Sequence, residues 1–412
     1  MQLLLEKRCN LSQVALLIED LHWADSASAE LIEKIIGSAV KLRLLVLTTR
    51  RPDYSPPWLG LSAVTAVSLR PLATTEIRQL VEKRLGIDAL PESLARQVTD
   101  KADGNPFFAE EIVTYLIEHG TLRTVAGALN FDANATSAAL PASVQNLLAV
   151  RVDRLAPKDR TILQAASVIG RRFDVELLAS VLNDSETEKR LRSMHTLELV
   201  DQRRKAGDFE FKHALVRDAL YNSLLSDPRA AFHLRIAEEI ERRNDNRLPE
   251  VAEVLAHHYS QTSNLSKCFA YLTMAGIKSL GVYSLDEAGA HFNAALAVLD
   301  KNHNCASDDQ TIQFFAGYML FLNLTAQWNF LIDVIERYLP RLNRMGDDAR
   351  LVFIRHHYVL ALIYNTRYPQ AVLAERNVAL VRSFGRQQIN CLCLGRGYIH
   401  FNHFGDKIDS RV

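Results

Sequence analysis

The chain has 412 residues, and at roughly 150 residues per domain that length calls for two or three folding units rather than one small core. Hydrophobic residues make up 48% and charged residues 23%, which excludes a disordered or fibrous chain. Lys plus Arg and Asp plus Glu number 48 each, so no global field draws the protein to nucleic acid or to an anionic membrane. No apolar run approaches the roughly 18 residues that span a bilayer. The opening MQLLLEKRCN has no basic residue before its leucines and does not read as a secretory signal. A cytoplasmic protein is expected, with Cys9, Cys268, Cys305, Cys391 and Cys393 as free thiols.

In chain order, Val14 to Ile18 is a short continuous apolar run that ends abruptly in Glu19 and Asp20. It predicts a strand buried on both faces, with acids at its carboxyl end. Asp25 to Gly37 carries Leu31, Ile32, Ile35 and Ile36 at helical spacing behind Ser26 and Ser28, and reads as a capped helix. A second buried strand follows over Leu42 to Thr49. Strand, helix and strand at this spacing predict a right-handed βαβ unit in a parallel sheet, where ligands bind outside the carboxyl strand ends. Three prolines make Pro52 to Trp58 a loop, and the alternation of Val64 to Leu69 predicts one more strand.

From Pro71 the period becomes helical, with predicted helices over Thr74 to Leu85, Pro91 to Ala102 and Pro106 to Glu118, the last introduced by Gly104-Asn105-Pro106. The polar stretch Ala126 to Ala139 reads as a linker or long loop. Helices near 141–155, 158–168, 174–182 and 186–199 precede two β-like runs, Leu199 to Arg203 and Phe209 to His213, and a helix from Ala214. Helices followed by a β-ribbon describe a winged helix. Beyond residue 228 only amphipathic helices are expected. Small and large residues such as Tyr271, Ala275, Ala288, Phe292 and Ala295 recur there as in a helical solenoid.

The string LLIEDLHWADSAS resembles the Walker B segment of the STAND branch of AAA-like ATPases, the modules attached to cyclase, kinase or LuxR-type domains in bacterial signalling proteins. TTRRPDYSPPW from Thr48 resembles that family's sensor 1 strand end and the loop after it, and GNPFFAEEI from Gly104 its lid motif. LPASVQNLLAVRVDRL from Leu140 and FEFKHALVRDALYNSLL from Phe209 resemble the entry and exit of its winged helix. The resemblance implies a partial P-loop NTPase α/β core over 1–70 and a helical lid over 71–125. It further implies a winged helix over 140–227 and all-α repeats of tetratricopeptide type over 228–412. Carried over residue by residue, Glu19 falls on the Mg²⁺-facing position, where ATPases at large have Asp, and Asp20 on the one that orients the attacking water. Arg50 or Arg51 would meet the γ-phosphate, Pro106 the adenine, and His213 the β-phosphate of bound ADP. Without the resemblance, the arginines read as a solvated strand end and His213 as a half-buried strand histidine.

No stretch matches G-x-x-x-x-G-K-[ST], the loop that supplies most phosphate binding. The expectation is therefore a fragment of an ATP/ADP-regulated signalling ATPase, inactive alone. It would be completed by an upstream P-loop segment and a cyclase or kinase domain, and would bind a protein partner through its repeats. A non-catalytic protein-interaction module is the alternative. The pairs His257-His258 and His356-His357 read as helix-surface histidines rather than metal ligands. The run Arg203-Arg204-Lys205 reads as a solvated hairpin tip rather than a nucleic-acid contact.

Overall fold

The computed structural model describes residues 2–125, 128–131, 143–194, 199–203, 207–345, 349–367 and 370. It divides into two compact units, one of residues 1–66 with 244 onward and the other of residues 67–243. The chain is mostly helical.

The first unit opens with α1 (Gln2–Leu11), β1 (Val14–Ile18), α2 (Ser26–Ala39) and β2 (Leu44–Thr48). The two strands pair in parallel, from Val14 opposite Leu44 to Ile18 opposite Thr48. Asp25 starts α2 by accepting the Ser28 amide hydrogen at 2.6 Å, which satisfies one of the unpaired donors of the first turn. Ile32 and Ile36 of α2 then form a small core with Leu21 and Trp58, packed on Ile18 and Val46 of the strands.

Two expectations for this segment are corrected. The strands are not buried on both faces: Leu17, Leu45 and Leu47 are 61%, 56% and 51% exposed. Successive side chains of a strand point to opposite faces. Here α2 covers one face, and no second layer covers the other among the described residues. Val64 to Leu69 forms no strand, and Val67 and Leu69 stand 78% and 93% exposed. Its alternation is genuine, but a strand also needs a neighbouring edge, and the described sheet consists of β1 and β2 alone.

The same unit resumes in six helices, α12 (Leu248–Ser260), α13 (Leu265–Gly281), α14 (Leu285–Lys301), α15 (Asp308–Leu324), α16 (Trp328–Leu342) and α17 (Ala349–Tyr364). Each packs on the next, and α15 also packs on α13 and α17. Phe292 of α14 is fully buried among Phe314, Tyr318 and Phe321 of α15. Gly276 lets α13 approach that cluster, since a Cβ there would lie 2.9 Å from the Phe292 ring.

The second unit holds α3 (Thr74–Leu85), α4 (Glu92–Ala102), α5 (Pro106–Glu118) and a hairpin of β3 (Leu122–Val125) and β4 (Ala128–Phe131). It continues with α6 (Val144–Arg154), α7 (Pro157–Ile169), β5 (Arg172–Asp174), α8 (Val175–Leu182), α9 (Thr187–Met194), β6 (Val200–Gln202), β7 (Asp208–Phe211), α10 (Ala214–Asn222) and α11 (Ser226–Arg243). β5, β7 and β6 form one antiparallel sheet in that order. A single hydrophobic core runs from Ile77 to Leu220, so α3–α5 and α6–α10 share one interior. Inside it the Arg151 guanidinium meets the Glu111 carboxylate at 2.5 Å, with Glu118 at 3.6 Å.

The helix expected over 186–199 is described over Thr187–Met194, with residues 195–198 outside the described residues, and β4 occupies part of the expected linker. α11 packs on α7 and α8, around Val168, Val181, Leu224 and Ile236. Residues 132–142 of the linker and helix entry, Arg204 and Lys205, Cys391 and Cys393 lie outside the described residues.

Candidate functional site

The carboxyl end of the β1–β2 pair gathers four of the residues singled out from sequence. Ile18 accepts the Thr49 amide hydrogen at 3.0 Å, and Leu21 donates back to the Thr49 carbonyl at 2.8 Å, so the two strand ends are tied beyond the last ladder pair. Between these bonds the backbone must turn sharply. Asp20 takes a left-handed conformation, φ 55° and ψ 46°, which Asp tolerates better than most residues. Its amide donates to the Thr49 hydroxyl oxygen at 2.8 Å. Glu19 is exposed and Asp20 half-buried at this edge.

Arg50 and Arg51 leave the neighbouring strand end in different ways. Arg50 is half-buried and donates to the carbonyl oxygens of Arg51 (3.2 Å) and Tyr54, which closes the loop after β2. The Arg51 guanidinium is exposed and lies 5.8 Å from the Trp23 ring centroid, within the range of a cation–π contact. Trp23 is itself 75% exposed. The edge therefore carries the exposed Glu19 and Arg51 with the half-buried Asp20 between the strand ends, while the second arginine is turned into its own loop. His22 keeps both ring nitrogens buried without a hydrogen-bond partner.

Pro106 and His213 lie in the other unit. Gly104 has φ +73°, and a Cβ on it would come 2.6 Å from Pro71 Cβ and 2.8 Å from the Leu72 oxygen. Only glycine fits that close approach, where the Leu72 amide donates to the Gly104 oxygen at 2.8 Å. Asn105 caps α5 by accepting the Phe108 amide hydrogen at 3.2 Å. Pro106 follows at the first helical position, where its missing N–H costs nothing. Pro106 is exposed; the half-buried Phe107 beside it packs against half-buried His213, with centroids 4.1 Å apart and the rings tilted by 41°. His213 precedes α10, and its carbonyl accepts the Val216 amide hydrogen at 3.1 Å.

Sequence reasoning did not anticipate the parts played by Thr49, Trp23 and Phe107. The doubled threonine and the doubled phenylalanine were visible in the motifs, but which member turns toward the site depends on backbone geometry. Among the described residues no group of three His, Cys, Asp or Glu side chains is placed to hold a metal ion. No helix is long and apolar enough to cross a membrane among those residues.

Residues 73–123, covering α3 to α5, match a family model described as a domain of unknown function, DUF8739. The chain is 25% identical over 359 residues to uncharacterized protein R02095 of Rhizobium meliloti strain 1021, a match covering 84% of this chain and 33% of that protein. It is 20% identical over 238 residues to adenylate cyclase type 10 of Rattus norvegicus, covering 47% of this chain and 15% of the cyclase. The chain thus spans a third or less of the length of either curated relative. Among solved structures it is similar to a signal transduction ATPase with numerous domains from Pyrococcus horikoshii that carries a tetratricopeptide repeat sensor. That likeness has a TM-score of 0.43 and 11% identity, over 91% of this chain and 64% of the other.

Proposed function

We propose that this chain is part of a nucleotide-regulated signal-transduction ATPase of the STAND type, with Glu19, Asp20 and Arg51 facing the phosphates. The observation that carries the reading is the edge just described: two carboxylates held at the end of a parallel strand pair, with an unclosed arginine on the adjoining strand end. Glu19 would reach a metal-bound water and Asp20 would orient the attacking one. Arg51 serves as the γ-phosphate contact, because Arg50 is already committed to two carbonyl oxygens. By the family's pattern α6–α10 with β5–β7 would serve as the winged helix, Pro106 would meet adenine, and His213 an ADP phosphate. Mg²⁺ and the nucleotide supply the electrophilic phosphorus and its charge neutralisation. These residues supply orientation, and the bulk of phosphate binding requires a P-loop segment. The name of the rat relative supports a cyclase as the attached effector. The helical array α12–α17 serves as the protein-binding part, and its closed aromatic core suits a non-catalytic interaction module as a second reading.

Titrating Mg·ADP and a non-hydrolysable ATP analogue tests this reading. The chain alone should bind both weakly and, given Mg·ATP in a separate assay, should show no hydrolysis. Extended by a P-loop-bearing segment it should bind ADP, and His213→Ala should raise the ADP dissociation constant about tenfold, the loss of roughly one charge-assisted hydrogen bond. No ADP binding by the extended protein overturns the reading. Unchanged affinity in a folded His213→Ala protein removes His213 from the site.

A further inference from the structure

Ser26 is the first residue of α2, six positions after Asp20, and Glu287 lies in the first turn of α14, in the helical array. Although 261 residues apart, they touch: the Ser26 amide and hydroxyl both donate to Glu287 Oε1, at 3.1 and 2.9 Å. The other carboxylate oxygen accepts the Ser284 hydroxyl from the start of its own helix. A Ser followed three residues later by Glu ordinarily forms a closed capping box. Here that box does not form: Ser284 makes no cap bond to the α14 backbone, its hydroxyl donates instead to one glutamate oxygen, and the other oxygen turns toward a different helix.

The position suits a negative charge. The first amides of a helix have no intrahelical acceptor, and the macrodipole leaves that end positive. Asp25 serves the Ser28 amide, and Glu287 serves the Ser26 amide. Burial pushes the Glu287 carboxyl up, but the bonds from Ser284 and Ser26 outweigh it and leave it below its ordinary value. The carboxylate is therefore ionised at neutral pH.

We propose that Glu287 is a latch through which the helical array sets the start of α2, and with it the strand end that bears Glu19 and Asp20. From Ser26 the chain runs back to Asp20 through Asp25 and the short turn Leu21–Trp23, whose buried Leu21 packs with Ile32 and Ile36 of α2. A movement of α14 that withdraws the carboxylate releases the first turn of α2. By linkage, a ligand that displaces the strand end weakens the hold on α14 by the same factor. The regulatory meaning of the latch rests on the nucleotide-dependent function proposed above; the latch itself is a property of the chain without nucleotide.

Hydrogen–deuterium exchange of the full chain at neutral pH tests it. Glu287→Gln keeps the size and loses the charge, and Glu287→Ala loses both acceptors. Ser26→Pro deletes both donors at a first helical position that accepts proline, behind an Asp25 already in the extended region at ψ 167°. Glu287→Ala should speed exchange at Ser26 about tenfold, Glu287→Gln less, the loss expected for charge-assisted bonds. Ser26→Pro should in turn speed exchange in the first turn of α14. A glutamate that serves only its own helix changes α14 in Glu287→Ala, leaves Ser26 unchanged, and makes Ser26→Pro silent on α14. That pattern overturns the proposal. Failure of ADP binding in the earlier experiment sinks the nucleotide reading and leaves these exchange rates as they are.

Discussion

Within one unit, β1 and β2 leave Leu17, Leu45 and Leu47 half or more exposed, whereas α13–α15 bury Phe269, Phe292, Phe314 and Tyr318 completely. Both segments are rich in large apolar residues, so composition does not separate them. What separates them is closure. Each helix of the array packs on the next, while among the described residues the strand pair has a helix on one face only, and parallel sheets are ordinarily covered on both. The aromatic interior of the described array is closed by its own residues; the strand pair presents a surface suited to another layer.

Substitutions sharpen this contrast, and the largest effect belongs to the array. Phe292→Ala removes a ring that contacts three aromatic neighbours and should cost about 3–5 kcal/mol. Denaturant unfolding followed by near-ultraviolet circular dichroism reads that loss.

Acid acts next. Burial, and then the charge of His356, push the imidazole of His357 down to about 4. Its Nδ1 is buried without a partner. The unfolded chain takes up the proton near pH 6.5 and the folded array resists it, so stability is intact above that pH and falls as pH drops toward 4. At pH 5 the loss from this group should be about 2 kcal/mol. His357→Leu should flatten the melting temperature between pH 7 and 5, and an unchanged acid slope would show that other groups dominate.

The smallest effect is expected on the strand pair. Leu47→Ser should change stability by no more than about 0.5 kcal/mol, while lowering the binding of an apolar dye. A core-sized loss there would mean that this face is already covered in solution.

Helices were legible wherever period and caps agreed. Thr74–Leu85 and Pro106–Glu118 were read to the residue, because Gly86 and the Asn105-Pro106 pair mark their ends. The strand Val14–Ile18 was equally plain, since its apolar run stops at two acids. The non-local features were not legible. β5 is three residues long and exists through its pairing with β7. Val64 to Leu69 has the right alternation and no partner edge. The burial of β1 and β2 was overestimated because a continuous apolar run reports what a strand can bury, not what lies against it. At the candidate site, the location of Glu19 and Asp20 at a strand end followed from sequence. Which of Arg50 and Arg51 stays exposed did not, because it turns on which guanidinium the Tyr54 carbonyl captures. Glu287 and Ser26 carry no local signal at all: each looks like an ordinary helix-start residue.

The left-handed backbone at Asp20 also decides which amino acids that position can carry. Glycine, asparagine and aspartate enter such a conformation at small cost, whereas a β-branched residue resists it. A saturation library at residue 20 should therefore sort in two steps. Valine and isoleucine drop out at the level of folding, because the strand end can no longer turn back to Thr49. Asparagine and glycine survive folding, glycine with the larger loss of chain freedom. Of the two, Asp20→Asn keeps the turn, the volume and the amide bond to Thr49 while deleting a single charge, so the demands of the turn and of the proposed nucleotide role separate within one codon position.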